Sequence, residues 1–193
     1  MKMSKISAVL PAIFTGLVLS MSSPTRMAQA DALSGNAPGF YAGVLGGANI
    51  PNGDSDSSVS PTIGATLGAK LAPQFGIGAF GTYYGQSNSG RFLGFSAGTS
   101  TRTFNVAGEA SFFASYFHLG ADVGAAFTSA SGNIGSASVG TSSNTLIYGP
   151  QAGFDIPIAA TGLSIGAEAH YLFNHEDNSN NNLPVLGAVK IWL

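Results

Sequence analysis

From about residue 39 onward the chain alternates apolar and polar side chains with a period of two, the spacing of strands whose two faces meet different surroundings. The alternation falls into eight segments, near 39–49, 61–71, 75–85, 103–113, 117–128, 146–157, 162–173 and 184–193. Each is close to the nine to eleven residues that a tilted strand needs to cross a bilayer. The second sets Ile63, Ala65, Leu67, Ala69 and Leu71 against Thr62, Gly64, Thr66, Gly68 and Lys70. The fifth sets Phe117, Leu119, Val123 and Phe127 against His118, Gly120, Asp122 and Thr128, and the seventh sets Leu163, Ile165, Tyr171 and Phe173 against Ser164, Gly166, Glu168 and His170. In the eighth, Val185, Val189, Ile191 and Leu193 oppose Leu186, Ala188, Lys190 and Trp192.

The connections alternate as well. Long polar links are predicted near 50–60, 86–102, 129–145 and 174–183, with tight ones at Ala72-Pro73-Gln74, Ala114-Ser115-Tyr116 and Ile158 to Thr161. Short turns at one end and long loops at the other are the habit of outer-membrane barrels, whose turns face the periplasm. That orientation puts both ends of the barrel segment on the periplasmic side. Aromatic residues of the apolar phase collect at both segment ends: Phe40, Phe75, Phe112, Phe117 and Phe154 near the turns, and Tyr83, Phe104, Phe127, Tyr148, Tyr171 and Phe173 near the loops. Such girdles mark the two faces of a membrane. Pro150 and Pro157 interrupt the sixth segment. A closed barrel has no free edge to hide a missing donor, so a bulge or a gap in pairing is predicted at Pro150.

The first thirty residues read differently. Lys2 and Lys5 precede an apolar run from Ala8 to Leu19, and Ala28-Gln29-Ala30 has the form of a cleavage site, the plan of a secretory signal peptide. The run is shorter than the roughly 20 residues of a spanning helix and contains Pro11 and Gly16. Residues 1–30 are therefore expected to be removed, leaving 31–193 as one domain beginning at Asp31. That part carries four basic side chains (Lys70, Arg91, Arg102, Lys190) against nine acidic ones, a formal charge of −5, which excludes a basic nucleic-acid surface. It has no cysteine, hence no disulfide and no thiolate metal site.

With its signal, eight alternating segments and graded loops, the chain resembles the small outer-membrane barrels of the OmpA, OmpX and opacity-protein type. The resemblance implies an all-β, closed, antiparallel, eight-stranded up-and-down barrel in the bacterial outer membrane. It also implies outer-membrane lipid as surroundings and the barrel-assembly machinery as a partner in biogenesis. That machinery reads a C-terminal strand usually ending in phenylalanine; here Val185, Val189 and Ile191 supply the alternation and Leu193 the end.

By phase, the inward face holds Lys70, Glu109, His118, Asp122, Gln151, Asp155, Glu168, His170 and Lys190 among many glycines. Buried charges survive by pairing, so an internal network plugging the lumen is expected. Glu168 and His170 share a face, which makes them the acid–base pair to weigh for catalysis. His175, Glu176 and the nearby serines are the corresponding candidates for a lipid-modifying barrel enzyme. The histidine–serine spacing of that class is absent, because His170 is followed by Tyr171-Leu172 and His175 by Glu176-Asp177. Gly76-Ile77-Gly78-Ala79-Phe80-Gly81 matches a dinucleotide fingerprint in spacing, but Thr82-Tyr83-Tyr84 continues it as a strand and not as the helix that chemistry needs. Asp54 and Asp56 lack the glycine and glutamate of a calcium loop. No catalytic, cofactor or metal site is therefore expected. The favoured reading is a non-enzymatic structural or surface-interaction protein whose loops, around 87–101, 130–144 and 174–183, meet an extracellular ligand. A small channel, a lipid-modifying barrel and a soluble ligand-carrying barrel of opposite polarity are the alternatives.

Overall fold

The computed structural model describes residues 39–52, 58–92, 95–134, 137–158, 161–175 and 181–193. The predicted signal at 1–30, its cleavage site, Asp54, Asp56, Glu176 and Asp177 lie outside them. The described residues are almost entirely strand: β1 Gly39–Asn52, β2 Ser60–Ala72, β3 Phe75–Phe92, β4 Phe95–Ala114, β5 Phe117–Ile134, β6 Ala137–Ile158, β7 Leu163–His170, β8 Phe173–Asn174 and β9 Asn181–Trp192. Among them there is no helix long and apolar enough to cross a membrane.

Every pairing is antiparallel, and the pairings form a ring. Each strand from β1 to β6 pairs with the next; β7 pairs with β6 and β9, and β9 returns to β1. The eight predicted segments occupy the eight wall positions. Nine strands result because the seventh segment is divided into β7 and β8, both paired to β6 in one continuous register. The predicted gap is thus present, facing Pro150 on the β7–β8 side, whereas the β5–β6 register runs through Pro150 without a shift. Pro157 pairs with Ser164 beside a turn.

One expectation is corrected. The links predicted at 86–102 and 129–145 are strand over most of their length: β3 and β4 stay paired out to Phe92–Phe95, and β5 and β6 out to Ile134–Ala137. These segments are Ser-, Thr- and Gly-rich and show no apolar face. The β-ladder is a backbone property, and β-branched threonine suits it, so pairing continues where alternation stops. The pairing of β4 with β5 also continues to Ala97–Ile134, which makes β3 to β6 a four-stranded blade rising beyond the shorter β1, β2, β7 and β9.

The faces separate as the phase predicts. Phe40 (65% exposed), Val44, Ile63, Leu67, Ile77, Val106, Leu119, Val123, Ile165 and Val189 point outward, with the predicted aromatic residues Phe75, Phe112, Phe117, Phe154, Tyr83, Phe104, Phe127 and Tyr148 among the exposed ones. Lys70, His118, Asp122, Gln151, Glu168, His170 and Lys190 are buried inside. Glycine makes that narrow interior possible at particular points. A Cβ on Gly68 would run into the ring of Tyr41, so the absence of a side chain there is what lets Tyr41 lie across the interior.

Candidate functional site

The interior is layered. At the end carrying the tight turns, Tyr41, Phe113 and Trp192 form an aromatic ring. Lys70 lies over it, with its ammonium 4.6 Å from the centre of the Phe113 ring and 5.7 Å from that of Trp192, a placement favoured by the rings' negative faces. The Trp192 indole donates to Ser164 Oγ at 3.0 Å.

Next comes a charged chamber. Lys190 on β9 reaches Asp155 Oδ2 on β6 and Glu168 Oε2 on β7, both at 3.1 Å. His118 on β5 has one ring nitrogen 3.6 Å from Asp155 and the other 4.0 Å from Glu168. His170 meets Asp122 Oδ2 at 2.8 Å through Nδ1, and its Nε2 lies 3.5 Å from Glu168 Oε1. The Tyr41 hydroxyl donates to Glu109 Oε1 at 2.5 Å, and Gln151 donates to Ser111 Oγ at 2.6 Å. All nine residues predicted to face inward are therefore in or beside this chamber. Chain distance does not matter to the network, because strand phase alone brings β4, β5, β6, β7 and β9 together on one lumen.

Beyond the chamber lies an apolar layer of Leu45, Phe80, Ala107, Ala126, Ile147, Leu172, Leu186 and Ala188, with Leu172 and Leu186 each 1% exposed and Phe80 2%. Past it the inward positions turn polar again: Asn49, Ser60, Thr62, Thr82, Thr103 and Asn105 are buried. Asn105 donates to Thr82 Oγ1 at 3.3 Å. The charges, but not the apolar layer, were expected from the sequence. The signal was available, since Leu45, Phe80, Ile147, Leu172 and Leu186 all stand in the inward phase.

The acid–base pair weighed from sequence is real as a contact but is not open to a substrate. His170 is buried to 0% and lies tilted against Phe80 with ring centres 4.3 Å apart, while Glu168 is occupied by Lys190. His175 is exposed at the blade end of the molecule, where its amide donates to the Leu146 carbonyl. Gly76 to Gly81 lie within β3 with no helix following, which removes the fingerprint's mechanism. Among the described residues no cluster of histidine and carboxylates has the arrangement to hold a metal ion.

No family model and no curated protein matches the chain. Solved structures do. Ail, the attachment invasion locus protein of Yersinia pestis, solved with the heparin analogue sucrose octasulfate, aligns with a TM-score of 0.58 at 13% identity over 81% of this chain and 97% of its own. Neisserial surface protein A aligns at 0.56 and 10% identity, covering 81% and 99%. A major outer membrane protein from Thermus thermophilus aligns at 0.52 and 13%, covering 82% and 100%. At such low identity the likeness is one of architecture: the chain has the fold of the small bacterial outer-membrane β-barrels.

Proposed function

We propose that the ring of strands is a closed barrel spanning the bacterial outer membrane, exported through a cleaved signal, with the blade on the cell surface. The observation that carries this reading is the inverted polarity: apolar side chains are exposed around the outside while charges are buried within. Water would penalise such a surface, whereas lipid favours it, and a ring without edges satisfies the backbone inside the hydrocarbon. A soluble ligand carrier requires the reverse. Outer-membrane lipid surrounds the barrel, and the assembly machinery inserts it. The interior is filled by its own side chains at rest, and the protein is not an enzyme; the enclosure of the His118 and His170 contacts with carboxylates supports this.

Its work is surface contact through the blade. Among the described residues, β6 from Ala137 to Asn144 has a backbone partner only on the β5 side, the last bond on the other side being the one the His175 amide donates to the Leu146 carbonyl. The register turns the backbone groups of Ser138, Gly140, Ser142 and Asn144 toward that open side. None of these residues is charged and none is proline, the usual protections of an exposed edge. An extended peptide segment adding to such an edge is a known mode of recognition. A sulfated sugar like the one bound by Ail fits less well, given the charge of −5 on residues 31–193.

Cell fractionation with gels of boiled and unboiled samples tests the membrane reading. The protein is expected in the outer-membrane fraction with a heat-dependent shift in mobility; a soluble protein that migrates alike in both samples overturns it. Shortening the β5–β6 hairpin by its paired outer residues, 131–134 and 137–140, will leave the heat shift intact and weaken cell-surface binding, since it removes Ser138 and Gly140 from the edge. Unchanged binding would remove the blade from that role.

A further inference from the structure

The wall has a weak point beside the apolar layer. The shared register of β7 and β8 on β6 sets Pro150 opposite Tyr171 and Gly149 opposite Leu172. On the other side, the β7–β9 ladder and the Leu172–Asn182 bridge share a register that sets Pro184 opposite His170. The Tyr171 amide donates to the Pro150 carbonyl at 2.9 Å, but Pro150 has no N–H to return to the Tyr171 carbonyl. Pro184 likewise has none for the carbonyl of His170. Two successive carbonyls of one strand therefore face prolines on opposite sides, and it is here that β7 ends and β8 begins only at Phe173. Leu172, beside this break, is held to β9 by a reciprocal pair of backbone bonds with Asn182, at 2.8 and 3.0 Å, and its side chain is a member of the apolar layer.

That layer divides polar from charged on most strands, β2 contributing only Gly64 and Thr66 at its level. Along β7 the inward positions run Glu168, His170, Leu172; along β4 they run Asn105, Ala107, Glu109; along β9, Leu186 and Ala188 precede Lys190. A ring of apolar side chains between two hydrated regions blocks ions because water leaves it, and moving one member lets water back. The glycine opposite holds the break shut: a Cβ on Gly149 would collide with the Tyr171 carbonyl oxygen, so only glycine allows β6 to close on this segment.

We propose that Leu172 is the moving leaf of a gate across the lumen. When the Tyr171–Leu172 segment swings from the wall, Leu172 leaves the apolar layer, and water with small inorganic cations passes between the polar rim and the charged chamber. Cations are favoured when His118 and His170 are neutral, because Glu109, Asp122, Asp155 and Glu168 then outnumber Lys70 and Lys190 there. The inference rests on the outer-membrane barrel reading.

The test is single-channel recording of the purified full-length barrel in a planar bilayer under a potassium chloride gradient. The native protein is expected to be mostly closed with brief cation-selective openings. Leu172→Ala and Gly149→Ala, which respectively thin the leaf and push the wall apart, will each lengthen the open time severalfold. Tyr171→Cys with Leu183→Cys places a disulfide across the break in a chain that has no other cysteine; its oxidation will silence the channel and reduction will restore it. Openings that persist in the oxidised pair overturn the gate, as does silence in every variant. The heat-mobility shift of the same samples separates the two readings: shifted but silent protein overturns the gate alone, and unshifted soluble protein overturns the barrel with it.

Discussion

Lys190 joins the charges of the interior, because one ammonium serves Asp155 and Glu168 at 3.1 Å each, Glu168 being buried and Asp155 only slightly exposed. Replacing it with methionine keeps most of the volume and leaves two carboxylates without their cation. Removing one partner of a buried pair costs about 3–5 kcal/mol. Lys190→Met is expected to lower the unfolding free energy, read from a urea titration of the heat-mobility shift, by that order, and Lys190→Met with Glu168→Gln to lower it by less than the two single changes summed. Additive losses would mean the two groups do not act together. The charges were legible from alternation alone, since Lys70, Glu109, His118, Asp122, Asp155, Glu168, His170 and Lys190 were all assigned to the inward phase. Their partners were not. Whether Tyr41 reaches Glu109 or Trp192 reaches Ser164 depends on the stagger between strands, which a single strand's pattern does not contain.

At the scale of the element, the seventh strand shows what the pattern conveys and what it omits. Alternation from Leu163 to Phe173 reads as one strand, and Pro150 announced a gap across from it. The second cause, Pro184, lies in β9 and acts on His170 only once register has placed it there. Pro150 sits on the exposed face, so alanine there restores a donor toward the Tyr171 carbonyl without opening the interior. A hydrogen bond of this kind is worth about 0.5–1.5 kcal/mol. Pro150→Ala is expected to raise stability by that order and to slow hydrogen exchange of the Tyr171 amide, measured in detergent by NMR. Unchanged exchange would show that the missing donor is not what breaks the strand. The hairpins of β3–β4 and β5–β6 were illegible for a different reason: beyond the lipid no face has to be apolar, so their backbone pairing leaves no trace in hydropathy.

For the whole molecule, lipid and water are expected to exact opposite penalties along a single strand pair, and that contrast is open to measurement. Val123 stands on the outer face of β5 between Phe117 and Phe127, near the middle of the band that their aromatic rings bracket. Ser142 stands on the outer side of β6, pairs with Ser129 and lies two residues past Phe127, the edge of that band. If the band lies in hydrocarbon, an arginine at Val123 costs about 2–4 kcal/mol, while one beyond the interface costs about 0–1. Val123→Arg is expected to reduce unfolding free energy in lipid vesicles by the larger amount and Ser142→Arg to leave it nearly unchanged. In a water-soluble barrel the order disappears, because an exposed arginine in place of an exposed valine is then close to neutral at either position. Equal, small effects at the two sites would therefore remove the membrane from this fold, whereas the graded result ties the aromatic bands, the inverted polarity and the height of the blade to one bilayer.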